Sequence, residues 1–334
     1  MSPDAAPYDV RLLFHPTNVV RDRAEMARFL KRVFNANGRN QGELLAEFDL
    51  DASYPPDYSL YTWIAEVWID SIQPELYVLE GQPLPEGALD QRLVEFGWYI
   101  DGIDELQKAL TTHGIRSVDQ NNRPVPPDEA PASAGAPDIK LMWTDPATTG
   151  LSYELIEWPR ERDAEFARLA DARFDPSWTL PPISAEDPLG IERCSHHTIL
   201  TRDVPRALNL VVDVLGGSVV RTADNPLLGT RSTYVWLKDA LLEYAEPVET
   251  GSPAATELDG TTTPSLLGMP QEDRYHLIAW KVRDLDAVAA HLAAQGVGVE
   301  GRDDHTIVTD PADCLGVRWG FTDSLVTGDP RRGD

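Results

Sequence analysis

Four stretches of the chain switch from alternating apolar and polar positions to a spacing of 3.6, which predicts a strand running into an amphipathic helix each time. They begin at His15 (HPTNVVRD, then RAEMARFLKRVF), Glu95 (EFGWYIDGIDELQKALTTHG), His196 (HHTILTRDVPRALNLVVDVLGG) and Leu277 (LIAWKVRDLDAVAAHLAAQG). Counting back five positions from Val20, Ile100, Thr201 and Val282 lands on His15, Glu95, His196 and Leu277 without a gap. Asp22, Asp101, Asp203 and Arg283 or Asp284 stand where helix N-caps and first-turn acids are favoured.

The copies also close alike. Asp145-Pro146 leads through Gly150 to Glu154, and Asp310-Pro311 leads through Gly316 to Gly320, each reading as turn, glycine and terminal strand. Copies one and three end in ELYVLEGQP and ALLEYAEP, with further strands such as LYTWIAEVWID and TRSTYVWLKD between helix and end. The repeat is strand, helix and about three strands. Copies one and two fill residues 8–159 as an N-terminal domain, and copies three and four fill 191–324 as a C-terminal domain. Residues 160–190, a charged helical start with a Pro-rich end, read as a linker. The loops at 116–137 and 248–272 are long enough to be either mobile or functional.

This pattern resembles the vicinal oxygen chelate superfamily, the glyoxalase, bleomycin-resistance and extradiol-dioxygenase group. The resemblance implies an α+β fold of four βαβββ modules forming two tandem glyoxalase-like domains, whose sheets curl around cavities. It implies metal ligands on the first and last strands of each module. In the N-terminal domain those places are His15, Glu95 (where the family usually has His) and Glu154, with Tyr77 at the end of module one and Glu75 close by. In the C-terminal domain they are His196, Glu243, Leu277 and Gly320. Leu277 and Gly320 cannot bind a metal.

His15, Glu95 and Glu154 supply one nitrogen and two carboxylates, a hard donor set suited to Mn, Fe, Zn or Mg. Such a divalent ion would polarise two oxygens of a substrate. Glu154 and Tyr99, on the inward face, are the candidate catalytic groups. Each also has a plain structural reading, since Glu95 could lie at a solvated edge and Glu154 could face water. His196 and His197 point to opposite faces of a strand, so only one enters a cavity. His276 is out of phase with Leu277, and only a bulge would bring it in beside His196 and Glu243. His113, His291 and His305 read as a helix end, an exposed helix and a turn. Trp63, Trp68, Trp98, Trp143, Tyr153 and Trp158 all fall in N-terminal strands.

Two function classes follow. One is a metal-dependent lyase, isomerase or ring-cleaving dioxygenase acting on a small molecule with vicinal oxygens. The other is a metal-free protein that sequesters a small molecule.

Charge narrows the partners. The 334 residues carry 55 acids against 29 Lys and Arg, a net charge of −26. Such a surface repels nucleic acid and anionic lipid, so neither is expected as a partner. No run of about 18 apolar residues predicts a membrane span. Two cysteines, Cys194 and Cys314, make no disulfide framework, which points to a reduced, cytoplasmic setting. A monomer or weak homodimer is expected, because tandem duplication can replace the dimer contact.

Overall fold

The computed structural model describes residues 7–47, 57–79, 82–83, 90–133, 136–184, 186–260 and 262–333. They form two mixed sheets, one of nine strands and one of eight. The first takes its strands from Asp9–Val19 through Tyr153–Glu157, the second from Ile191–Leu200 through Arg318–Thr322.

Each sheet is two modules joined through their first strands. Asp9–Val19 runs antiparallel to Arg92–Asp101, and Ile191–Leu200 runs antiparallel to Arg274–Val282. The last strand of every module lies parallel to its first: Val67–Ile72, Tyr153–Glu157, Ala240–Pro247 and Arg318–Thr322. This is the predicted four-module plan, and every module keeps its helix.

Three helices start as predicted. Asp22 accepts from the amide of Ala24, Asp203 from Arg206, and Asp284 from Asp286 and Ala287. Module two differs. Gly102, at φ 74°, takes the N-cap place, and Glu157 accepts from the amides of Gly102 and Ile103 instead of Asp101. Asp101 is the last residue of its strand and pairs with Arg160. In module three the helix Val204–Leu208 continues as a wide π turn through Val214.

One strand assignment is corrected. The hairpin Ser59–Ile64 and Val67–Ile72 turns at Ala65 (φ 49°) and Glu66, so LYTWIAEVWID already supplies the third and fourth strands of module one. Of the ELYVLEGQP stretch, Val78–Leu79 pairs with Gln82–Pro83 in a separate two-stranded sheet.

The two sheets share one apolar core through their helix-covered faces. It joins Met26, Leu30, Phe96, Trp98 and Leu155 of the first half to Leu210, Tyr275, Ile278, Trp280 and Phe321 of the second. Phe96 stacks on Tyr275 with centroids 4.1 Å apart, Phe34 packs on Trp319, and the hydroxyls of Tyr153 and Tyr244 meet at 3.0 Å. His291 is tied into this contact, its Nε2 lying 2.9 Å from the carbonyl of Val33. With these faces buried against each other, the opposite, concave faces are left to form cavities. No helix of the described residues is long and apolar enough to cross a membrane.

Residues 163–174 cover one end of the first bowl. Helix Asp163–Leu169 places Phe166 and Leu169, together with Phe174, against Trp68, Tyr99 and Trp158. The long loop 248–272 contains helix Pro253–Leu258 and the small hairpin Thr263–Pro264/Pro270–Gln271. That hairpin crosses to the first half, where Gln271 accepts from the amide of Ser152 and donates to the carbonyl of Val94.

Candidate active site

The N-terminal bowl encloses a cavity of about 120 Å³. Its walls include His15, Asp70 and Glu154 among the aromatic rings of Phe14, Trp68 and Trp143. His15 enters it beside Phe14 because the strand register slips between Leu13 and His15, which makes Phe14 the bulged residue. Gly97 lies directly across from His15, and a Cβ there would sit 3.1 Å from the imidazole Cε1, so glycine lets the ring lie close to the sheet.

Sheet register identifies the equivalent positions. Glu95 and Asp70 both pair with Thr17, from opposite sides, and Glu154 pairs with Gly97. The pseudo-twofold relating the modules therefore matches His15 to Glu95 and Asp70 to Glu154. Tyr77 does not hold the end-of-module place. It is buried against Tyr58 at the wall of the cavity, and Glu75 is exposed. Asp70 holds that place, and the sequence reading missed it by taking the wrong segment as the last strand. The alternation of LYTWI and VWIDSI around a two-residue turn was the available signal.

His15, Asp70 and Glu154 line one cavity, and Glu95 is buried near enough for its charge to act on Glu154. His15 Nε2 lies 3.6 Å from Glu154 Oε2 and 4.0 Å from Asp70 Oδ2. Its Nδ1 meets the Thr17 hydroxyl at 3.0 Å. Burial lowers the imidazole to a pKa of about 3, so it is neutral at pH 7 with a nitrogen available as a ligand. Glu95 is fully buried and accepts from Trp143 Nε1 at 3.0 Å. Burial, helped by the charge of Asp70, raises Glu95 to about 8. Burial raises Asp70 to about 7. Glu154 is pushed well up by burial and then by the charges of Glu95 and Asp70. Asp70 Oδ1 and Glu95 Oε2 are buried without a hydrogen-bond partner. Among the described residues, no cluster of three or more His, Cys, Asp or Glu side chains is arranged to hold a metal ion as it stands.

Tyr99 sits apart from this group. Its ring is buried among Phe14, Phe166 and Phe174, its hydroxyl has no partner, and it does not line the cavity. The segment after the N-terminal domain, whose packing the sequence did not show, covers it. Of the other aromatics, Trp68, Trp143 and Trp158 line the cavity. Trp98 and Tyr153 turn to the shared core, and Trp63 stacks on Trp68. Leu266, carried by the hairpin of the C-terminal half, also closes the cavity wall.

The C-terminal bowl holds a larger cavity, about 280 Å³, at the equivalent place. His196 points in, while His197 points into the shared core, with its Nδ1 2.6 Å from the Tyr275 hydroxyl. Glu243 pairs with Thr198 as Asp70 pairs with Thr17. It is fully engaged, by His196 Nε2 at 3.3 Å, the Tyr234 hydroxyl at 2.9 Å, Thr198 and Asn225. Burial alone would raise Glu243, but the hydrogen bond and charge of His196, with the neighbouring hydroxyls, hold it down to about 2. Leu277 and Gly320 complete this wall. A register slip makes His276 the extra residue of its strand, but its Nδ1 turns to Glu257, outside this cavity. His113 Nδ1 meets Asn209, and His305 Nδ1 meets Asp323.

No protein-family model matches the chain, and no curated protein matches it. Solved structures do. A Mn(II)-bound glyoxalase from Novosphingobium aromaticivorans is similar over 94% of this chain and 82% of its own, at 13% identity and a TM-score of 0.54. The chain has the tandem vicinal-oxygen-chelate, glyoxalase-like fold. Methylmalonyl-CoA epimerase from Mycobacterium tuberculosis is similar over 40% of this chain and 89% of its own, at 23% identity and a TM-score of 0.34. A Streptomyces coelicolor methylmalonyl-CoA epimerase variant, in complex with 2-nitronate-propionyl-CoA, is similar over 39% and 96%, at 23% identity and a TM-score of 0.34. In a glyoxalase-like fold the first and last strands of paired modules converge in one bowl, and in this chain acids meet there only in the N-terminal half.

Proposed function

We propose that the N-terminal bowl is a divalent-metal site, held by His15, Asp70, Glu95 and Glu154, in an enzyme that moves a proton on a small substrate with neighbouring oxygens. The observation that carries this is the charge imbalance. Three buried carboxylates face one neutral imidazole, two of their oxygens lack partners, and each raises its neighbours' proton affinity or is raised by burial. Buried carboxylates without a counter-charge are costly, and a divalent cation removes that cost. Three carboxylates and one imidazole form a hard donor set, which suits Mn or Mg better than the two-His, one-carboxylate pattern of iron oxygenases. This favours an isomerase, epimerase or lyase over a ring-cleaving dioxygenase.

When bound, the ion would polarise substrate oxygens and stabilise the negative charge that develops on them. The rest falls to the chain. Glu154 lines the cavity, its Oε2 3.6 Å from His15 Nε2, so its carboxylate is placed to take a proton from substrate carbon and return it. Thr17 fixes the imidazole of His15 through its Nδ1, and Trp143 fixes Glu95. Phe14, Trp68 and Trp143, with Leu266 from the other half, exclude water and match a substrate with an apolar part.

The alternative, metal-free sequestration of a small molecule, is favoured by one observation. The acidic groups do not stand ready around one point, whereas the aromatic wall is already formed. Titration of purified, chelator-treated protein with Mn2+ separates the two readings. The enzyme reading expects one tight site per chain, and the sequestration reading expects none.

A further inference from the structure

Modules one and three each end in a hairpin with a two-residue turn, and each turn carries an acid that reaches the other half. Ser59–Ile64 and Val67–Ile72 turn at Ala65 and Glu66, and Thr230–Leu237 and Ala240–Pro247 turn at Lys238 (φ 54°) and Asp239. Asp239 Oδ1 accepts from the amide of Leu13 at 2.8 Å. Reciprocally, both carboxylate oxygens of Glu66 accept from the amide of Cys194 at 3.1 Å. Leu13 and Cys194 hold equivalent places, each two residues before the histidine that enters its bowl.

An arginine completes each contact. Arg173 Nη2 donates to the carbonyls of Leu13 and Phe14 at 2.6 and 3.1 Å, and its Nη1 lies 3.4 Å from Asp239 Oδ2. Arg331 donates to the carbonyls of Cys194 and Ser195 at 3.1 and 2.9 Å, and its Nη1 lies 3.7 Å from Glu66 Oε1. An aspartate two residues earlier, Asp171 or Asp329, holds each guanidinium at 2.7 Å. Each guanidinium also lies over a hairpin tryptophan, Trp63 or Trp236. Arg173 further donates to the carbonyl of Glu66 at 3.3 Å, a backbone contact that a change of the Glu66 side chain keeps. The duplication therefore extends past the sheets into the segments that follow them.

The backbone groups held in this way belong to the two strand bulges. Register slips between Leu13 and His15, and between Cys194 and His196, so Phe14 and Ser195 are the extra residues. In a regular strand successive side chains face opposite sides of the sheet. The slip lets Phe14 and His15 both line the first bowl, and Ser195 and His196 both line the second. A bulge disrupts the ladder and leaves backbone groups to find other partners. Here a carboxylate takes the amide and a guanidinium takes the two carbonyls. Straightening the strand would restore strict alternation and turn one of each pair out of its bowl.

We propose that Asp239 with Arg173 positions His15, and that Glu66 with Arg331 positions His196, so that each half sets the histidine of the other half's bowl. The placement of His15 does not depend on what the bowl binds. Its consequence for Mn2+ rests on the metal reading.

The NMR cross-peaks of the Cε1–Hε1 groups of the seven histidines, assigned by substituting each in turn, test this in the full chain, in chelator at one pH. The Asp239 side chain is 36% exposed, so Asp239→Ala keeps the fold. It is expected to shift the His15 cross-peak and leave that of His196, whereas Glu66→Ala shifts His196 and leaves His15. Arg173→Lys, which keeps the charge and loses the fork, should shift His15 as well. Damage confined to the substituted half gives the reverse pattern, and general loosening moves both peaks in both variants. Either result overturns the proposal, as does an unmoved His15 in Asp239→Ala and Arg173→Lys. Mn2+ affinity is the second readout, expected to be about tenfold weaker in Asp239→Ala and unchanged in Glu66→Ala. Equal weakening in both overturns the positioning role. Absence of Mn2+ binding in the wild type removes the metal reading alone, and the cross-peaks then decide this one.

Discussion

His15 and Glu154, from the first strand of module one and the last strand of module two, meet with Nε2 and Oε2 3.6 Å apart in a buried space. Neither can be satisfied by water to the extent of a surface pair, and Asp70 and Glu95 add further acid to the same space. From this follow the expectations about metal, pH and stability.

The metal-free protein should lose stability as pH rises through about 7 to 8. Asp70 and Glu95 have raised folded-state values, about 7 and about 8, so the folded state keeps protons that the unfolded chain has already released. The stability they contribute is complete below the unfolded carboxylate range and is lost as pH passes the folded values. His15, lowered to about 3, acts with the opposite sign only below its unfolded value near 6.5. Thermal melts in chelator at pH 6 and pH 9 should show the lower Tm at pH 9, and Mn2+ should abolish most of the difference.

Substituting Glu154→Gln should remove metal binding while stabilising the metal-free protein at alkaline pH. The change deletes one of three mutually repelling acids and keeps its shape. A gain of about 1 kcal/mol, roughly 2–4 °C in Tm, is expected at pH 9. A fall in Tm in chelator would show that Glu154 holds the bowl together through contacts other than charge.

Glu243→Ala should leave metal binding intact yet cost about 3 kcal/mol or more of stability. Its buried carboxylate accepts from His196, Tyr234, Thr198 and Asn225, and removal strands those donors. Denaturant unfolding measures this directly, and a cost below about 1 kcal/mol would mean that water replaces the carboxylate freely.

Gly150→Ala should loosen the join between the halves. The backbone there has φ 81°, and a Cβ would sit 2.0 Å from the Asp273 carboxylate. A cost of roughly 1–3 kcal/mol is expected from the backbone conformation alone. Limited proteolysis should then cut faster between the halves, and an unchanged rate would show that the contact relaxes without cost.

The four-module fold was legible because strand-to-helix switches depend on local spacing, and His15, Glu95, His196 and Leu277 stand in phase. Glu154 and Glu243 were legible from the glycine turn and the terminal strand. Asp70 was not, because the register depends on the tight turn at Ala65–Glu66, which carries no Gly or Asn to mark it. The seclusion of Tyr99 was invisible for another reason. It depends on Phe166 and Phe174 folding back from beyond the domain, a tertiary contact with no periodic signature. The same holds for Leu266, which reaches the N-terminal cavity from the C-terminal half.

The most direct test is the number of tightly bound Mn2+ ions per chain, measured in the wild type, Asp70→Asn, Glu154→Gln and Glu243→Gln after chelation and reloading. One ion in the wild type and in Glu243→Gln, and none in Asp70→Asn or Glu154→Gln, is the predicted result. No ion in the wild type, or an ion lost only with Glu243→Gln, would contradict a metal site in the N-terminal bowl.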